Sequence, residues 1–201
     1  GIAIRQSADL RAVAIRPEGR SKVIARSIDF NKATFRPIEL TGTQPAPKYA
    51  FKGAATLVDG MSGNDNYATG DWLGFIDGDV TAGIDLGSPT GNATAGNTAG
   101  LPEIKRVATH AVVDMSAWIA GCTGLTVSVS DDNKSFREVA SKDFPAETDS
   151  RKKAVESYGI TFEPVKARYV KVLIKRTPAL PKGHPGEGKI PFLFIDEIVV
   201  E

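Results

Sequence analysis

Residues 56–87 open with Thr56-Leu57-Val58-Asp59-Gly60, run through Gly70-Asp71-Trp72-Leu73-Gly74-Phe75-Ile76-Asp77-Gly78-Asp79-Val80 and end with Ile84-Asp85-Leu86-Gly87. The run holds six aspartates, two asparagines and seven glycines, and the nearest basic residues on either side are Lys52 and Lys105. Glycine is costly inside a helix, and Asp and Asn side chains bond nearby backbone in turns. The run therefore predicts loops around short strands and no helix. Oxygen-rich loops with glycine turns suit a hard cation such as calcium. Tyr67, Trp72 and Phe75 sit in the same loops, and an aromatic face beside polar side chains suits a sugar.

Downstream the pattern stays β. Residues 82–86 read as a short strand before a loop over 88–100 whose Gly, Asn, Thr and Ala content predicts mobility. Residues 104–113 are β-branched, 125–130 alternate strictly, and Asp131-Asp132-Asn133-Lys134 supplies turn chemistry. Residues 151–158 are the one stretch that reads as a helical turn. A basic-outward strand follows over 167–176, then a Pro and Gly loop over 178–188, and a last strand over 192–200. Seven or eight short strands with turn clusters between them predict an all-β sandwich.

Upstream, residues 8–16 and 23–30 alternate around Pro17-Glu18-Gly19-Arg20 and read as a β-hairpin. A lone hairpin is marginal in water, so residues 1–33 are expected to be the last strands of a preceding β domain. Residues 34–48, with Pro37, Pro45 and Pro47, read as an extended linker or an edge strand.

Composition bounds the function. Hydrophobic residues make up 41% of the chain, which is enough for a core. The net charge is +1; residues 1–50 carry nine Lys or Arg against four Asp or Glu, which leaves −4 for the remainder. The basic residues alternate with apolar ones along strands, so nucleic acid is not an expected partner. Cys122 is the single cysteine, which excludes an internal disulfide. No apolar run is long enough for a membrane span, and Gly1-Ile2-Ala3-Ile4-Arg5 is not a signal peptide. Any export signal would lie upstream.

Five motifs then fall in order: Leu57-Val58-Asp59-Gly60, Ile84-Asp85-Leu86-Gly87, Val127-Ser128-Val129-Ser130-Asp131-Asp132 with Phe136, Ala167-Arg168-Tyr169-Val170-Lys171-Val172, and Ile195-Asp196-Glu197-Ile198. Over residues 49–201 this order resembles the discoidin or F5/8 type C domains. That resemblance implies a jelly-roll β-sandwich of the galactose-binding-domain type, close to carbohydrate-binding modules of family 32. Gly70-Asp71-Trp72-Leu73-Gly74-Phe75, Gly78-Asp79-Val80 and Ser116-Ala117-Trp118-Ile119 are similar to the C-terminal discoidin domains of Bacteroidetes β-N-acetylhexosaminidases of glycoside hydrolase family 20. Residues 10–14 through 32–34 resemble the final strands of the Ig-like, chitobiase C-terminal-type domain that precedes them. The resemblance implies a non-catalytic module of a secreted, periplasmic or surface-bound glycoside hydrolase. Its partners would be a glycan of N-acetylglucosamine or galactose type and an upstream catalytic domain.

The resemblance implies a structural calcium, which such domains commonly hold, with an empty site as the other outcome. By position its ligands here would be Asp59, Glu197 and the backbone carbonyls near Thr56 and Met61, with Asn64 and Asp65 as replacements because the loop after Gly60 is long. The alternative is that Asp59 caps a turn and Glu197 is solvated. For sugar, the platforms are Trp72, Tyr67 and Trp118, with Asp79, Asp114 and His184 as hydrogen-bonding partners. The competing reading makes each tryptophan a core anchor. His110, among valines and alanines, reads as structural.

Catalysis finds little support. Asp196 and Glu197 superficially match an Asp-Glu catalytic pair, but neighbours on a strand point to opposite faces. No Ser-His-Asp set, phosphate loop or zinc spacing is present. A protein-binding or purely structural spacer therefore remains the alternative to a sugar-binding module, and the exposure of the two tryptophans discriminates between them.

Overall fold

The computed structural model describes residues 4–87 and 100–201, so the loop expected over 88–100 lies almost wholly outside the described residues. The expected hairpin is present. β1 (Ala8–Ala12) pairs antiparallel with β4 (Ile24–Ile28), and the short β2 (Ile15–Arg16) and β3 (Gly19–Arg20) close its tip. Its strands join neither large sheet, and Val13, Ile15, Val23 and Ile24 stand exposed on it.

Residues 34–48 are more than a linker. β5 (Ile38–Gly42) pairs with β7 (Val80–Asp85) and forms the edge of a five-stranded sheet. The edge suits the segment, because its prolines lie outside the paired residues and no ladder bond is lost. The remaining sheet strands are β6 (Leu73–Phe75), β8 (Glu103–Asp114), β9 (Cys122–Ser130), β10 (Arg137–Asp143), β11 (Lys153–Lys166), β12 (Tyr169–Arg176) and β13 (Leu193–Val200). One sheet has the order β10-β9-β12-β7-β5 and the other β11-β8-β13-β6, with every pair antiparallel. The two face each other as the expected all-β sandwich. Strict alternation along β7 and β12 buries Val80, Ala82 and Ile84, and Val170, Val172 and Ile174, while Thr81, Gly83, Asp85, Tyr169, Lys171 and Leu173 face outward.

Two local expectations are corrected. The helical turn expected at 151–158 is the start of the 14-residue strand β11. Its Lys152–Glu156 ion pair, at 2.8 Å, has the spacing of a helix pair but forms across an extended chain. Conversely, the run expected to hold no helix begins inside the short 3-10 helix Gly53–Val58. Three residues per turn suit so short a piece, and it buries Thr56, Leu57 and Val58 beside β13.

The segment after the hairpin is tied to the end of β13. Lys32 N donates to Val200 O at 2.9 Å, and Asn31 Oδ1 accepts from Ala33 N and Val200 N. β13, the last strand, lies between β8 and β6 inside its sheet.

Candidate functional site

Three connections meet at one end of the sandwich: residues 61–72, 115–121 and 177–192. Asp114 and Ile119 exchange backbone hydrogen bonds at 3.0 Å, Phe192 N donates to Trp118 O at 2.9 Å, and Ala120 N donates to Phe192 O at 3.0 Å. Asp114 caps the 3-10 turn Met115–Ala117, its Oδ1 accepting from Ala117 N and from Ser116 Oγ. Trp118 ends that turn in the left-handed region, at φ 62° and ψ 39°. A bulky residue there costs about 1–3 kcal/mol and persists only where its surroundings fix it. The side chain is 42% exposed. Its ring rests on Gly186, where a Cβ would come within 2.8 Å of the ring, so only glycine allows this seat.

The other sugar-site expectations fare differently. Trp72 is fully buried, packed with Val112, Ile119 and Phe194, and its Nε1 donates to Asn64 O at 3.0 Å. It is a core anchor, enclosed by those three side chains with Gly63 directly against its ring. Tyr67 is half-buried, packed against Tyr49 and Phe194. His184 is buried and fully engaged: Nε2 bonds Met115 O at 2.8 Å and Nδ1 accepts from Gly186 N at 2.9 Å. With both ring nitrogens used, it supports the loop beneath Trp118 and has no donor left for a ligand. Asp79 is exposed and accepts from Arg176 N at 3.0 Å. Asp114 is buried as a cap, with its Oδ2 3.8 Å from Lys153 Nζ, which also lies 3.9 Å from Asp65 Oδ2. Lys153 and Asp65 are thus polar neighbours of the Trp118 turn. Sequence pattern did not place them at this turn, since Asp65 comes from the 61–72 connection and Lys153 from the start of β11.

Of the residues expected at the calcium site, Asp59 and Glu197 meet at the 59–61 turn. Glu197 is 3% exposed; its Oε2 accepts from Gly60 N at 3.1 Å, and Asn31 Nδ2 lies 3.4 Å from its Oε1. Burial pushes the Glu197 carboxyl up to about 9, the Gly60 amide opposes the shift, and the charge of Asp59 adds to it. Asp59 caps a turn, as in the alternative reading, with Oδ1 accepting from Met61 N, while Oδ2 meets Lys52 Nζ at 3.1 Å. Glu197 is not solvated. Thr56 Oγ1 is buried without a hydrogen-bond partner among the described residues. A buried carboxylate with a second carboxylate nearby is the kind of oxygen chemistry a hard cation takes. Among the described residues no group of three His, Cys, Asp or Glu side chains is arranged to hold a metal, so backbone oxygens would have to complete the set.

Asp196 and Glu197 do not point simply to opposite faces. The register of β13 shifts between Ile195 and Ile198, and both carboxylates reach one loop, Asp196 Oδ2 accepting from Gly63 N at 2.8 Å. His110 Nδ1 sits 3.3 Å from Asp196 Oδ1, and that carboxylate holds the imidazole above its usual range against the opposing effect of burial. Cys122 is buried, and burial pushes its thiol up to about 12, so it is not a nucleophile. No helix among the described residues is long and apolar enough to cross a membrane.

No family model and no curated protein matches this sequence. Solved structures do. Chitosan-binding module 1 of a chitosanase/glucanase from Paenibacillus sp. IK-5 is 16% identical, with 86% of this chain and 98% of that chain covered and a TM-score of 0.50. Chitosan-binding module 2 of the same enzyme, solved with chitotriose, is 17% identical over 85% and 98% of the two chains at a TM-score of 0.46. CpGH89CBM32-5 from Clostridium perfringens, solved with GalNAc-β-1,3-galactose, is 17% identical over 81% and 94% at 0.43. At these identities the likeness speaks for the fold, and the first of them carries it: this chain has the discoidin-like β-sandwich of carbohydrate-binding modules.

Proposed function

We propose that this chain is a non-catalytic carbohydrate-binding accessory module that uses Trp118 as its platform. The observation that carries the reading is the half-exposed indole at the tip of a rigid turn, held in a strained backbone conformation beside the Asp114, Lys153 and Asp65 polar groups. An indole face packs the C–H face of a pyranose while charged groups at its edge bond the hydroxyls. Phe35 and Phe51 are also exposed at positive φ, and it is the polar groups beside the Trp118 turn that favour Trp118 over them. The parent would be a secreted or periplasmic glycoside hydrolase, a β-N-acetylhexosaminidase of the Bacteroidetes type, acting on N-acetylhexosamine glycans. The exposed apolar hairpin supports a preceding domain, because Val13, Ile15, Val23 and Ile24 would be covered by one. Tethering then raises the local concentration of the catalytic domain at its substrate.

Titration with N-acetylglucosamine, galactose, N-acetylgalactosamine and chitobiose, followed by NMR, tests the reading. Shifts are expected at Asp65, 114–118 and Lys153, with Kd on the order of 1 mM, about −4 kcal/mol. Trp118→Ala should abolish them while circular dichroism stays unchanged. Absence of shifts with all four sugars would leave the spacer reading.

Asp59, Glu197 and the carbonyls of Thr56 and Met61 would hold calcium, which would supply the positive charge that Glu197 lacks. Added calcium should raise the melting temperature and EDTA should reverse the gain. An unchanged melting temperature would remove the metal from the account.

A further inference from the structure

A groove of about 530 Å³ lies away from the Trp118 turn, on the outer face of the five-stranded sheet. Register explains it. Glu39 on β5, Gly83 on β7 and Lys171 on β12 form one row across three strands, and Gly83 stands in the middle of it. A Cβ at Gly83 would meet only Glu39 O, at 4.0 Å, so the missing side chain leaves a trough rather than relieving a clash. The banks stand two strand spacings apart, about 10 Å, and the trough runs beside β7 from Thr41 to Pro37, for about 14 Å.

Its walls are built. Tyr169 lines it with the Arg168 guanidinium 4.8 Å from its ring centroid, and Arg168 is itself clamped on Asp85 by bonds of 2.8 and 2.9 Å. Lys171 Nζ sits 3.7 Å from the centroid of Phe136. Phe136 follows a turn in which Asp132 Oδ1 accepts from Ser130 Oγ, Lys134 N and Ser135 N, each at 2.8 Å. Lys171 and Glu39 have no ion-pair partner among the described residues.

We propose that this trough is a second ligand site, which takes a segment of a neutral oligosaccharide chain lying along β7 between Lys171 and Glu39. Opposite charges on the two banks decide the ligand class. A charged ligand would gain at one bank what it loses at the other, whereas a hydroxyl accepts from an ammonium and donates to a carboxylate. Tyr169 and Phe136 add the apolar surface that a pyranose face covers. The site shares its ligand class with the Trp118 reading and none of its residues.

The test uses cellohexaose and chitohexaose, the N-acetylglucosamine hexamer, against the whole chain, with amide shifts followed by NMR. Shifts at Gly83, Phe136, Tyr169 and Lys171 that persist in Trp118→Ala are expected. Gly83→Val fills the trough without a backbone clash and puts a β-branched residue on a strand. It should weaken binding at the sheet at least tenfold, leave the Trp118 shifts in place and keep the melting temperature. Tyr169→Ala should weaken the same shifts. Absence of sheet shifts with both hexamers overturns the proposal, as does undiminished binding in Gly83→Val. Loss of the sheet shifts in Trp118→Ala would reduce the two sites to one, and dimerisation in sedimentation that Gly83→Val abolishes would make a second copy the occupant.

Discussion

Trp72→Ala is expected to lower the stability of the domain by about 3–5 kcal/mol, the cost of emptying the site of a fully buried large aromatic side chain. For a chain of this size each kcal/mol moves the melting temperature by roughly 2–4 °C, so a fall of about 10 °C is the result to look for. The site has little room to collapse, because Val112, Ile119 and Phe194 around the indole are fixed in or beside strands β8 and β13. Gly63 lies directly against the ring, and Gly63→Ala should destabilise as well, since its Cβ would collide with the indole. Trp72→Phe should cost much less, losing the bond to Asn64 O and some volume. The Trp118 turn is built from other bonds, so Trp72→Phe should keep its sugar response. Thermal melts of the three variants decide the matter, and a Trp72→Ala protein as stable as the parent would contradict the core assignment.

Glu197→Gln should act in the opposite direction. In EDTA at pH 8 the variant is expected to melt about 10 °C or more above the parent. The sign follows from the raised carboxyl. Folded, Glu197 holds its proton up to about 9, whereas in the unfolded chain it releases it near 4.5. Its contribution is therefore fully favourable below 4.5 and is lost as pH rises towards 9, at about 1.4 kcal/mol per unit. Glutamine removes the charge and can still accept from Gly60 N, so the melting temperature should also become flatter between pH 5 and 9. The same substitution removes a carboxylate ligand, so the response to calcium should disappear. Destabilisation of Glu197→Gln in EDTA at pH 8 would show that the carboxylate is ionised and favourably paired.

Much of the sandwich was legible because alternation fixes which strand face is buried, and 80–85, 125–130 and 169–176 alternate cleanly. The start of β11 was not legible as a strand, because the bonds that make it one come from β8, distant in sequence. The two tryptophans show the same limit. Both sit beside glycine in loops, and only the packing partners, Val112, Ile119 and Phe194 for one and Gly186 for the other, decide which is core and which is surface. His184 looked available for the same reason: the carbonyl that takes its Nε2 lies 69 residues away. The sheet groove escaped notice because a missing side chain at Gly83 becomes a trough only once β5, β7 and β12 lie side by side.

The central place of β13 governs how the protein is made. Until Val200 has been synthesised, β8 and β6 have no common neighbour, Asn31 and Lys32 lack the backbone they bind, and the loop at 60–63 has no carboxylates to grip. A nascent chain that ends before residue 193 holds the apolar inner faces of both sheets with the gap between β8 and β6 open. Such contacts, far apart in sequence, form slowly. Folding of this domain therefore waits until residues 193–200 are available, when the eight-residue strand β13 enters its slot between β8 and β6 and the sandwich closes.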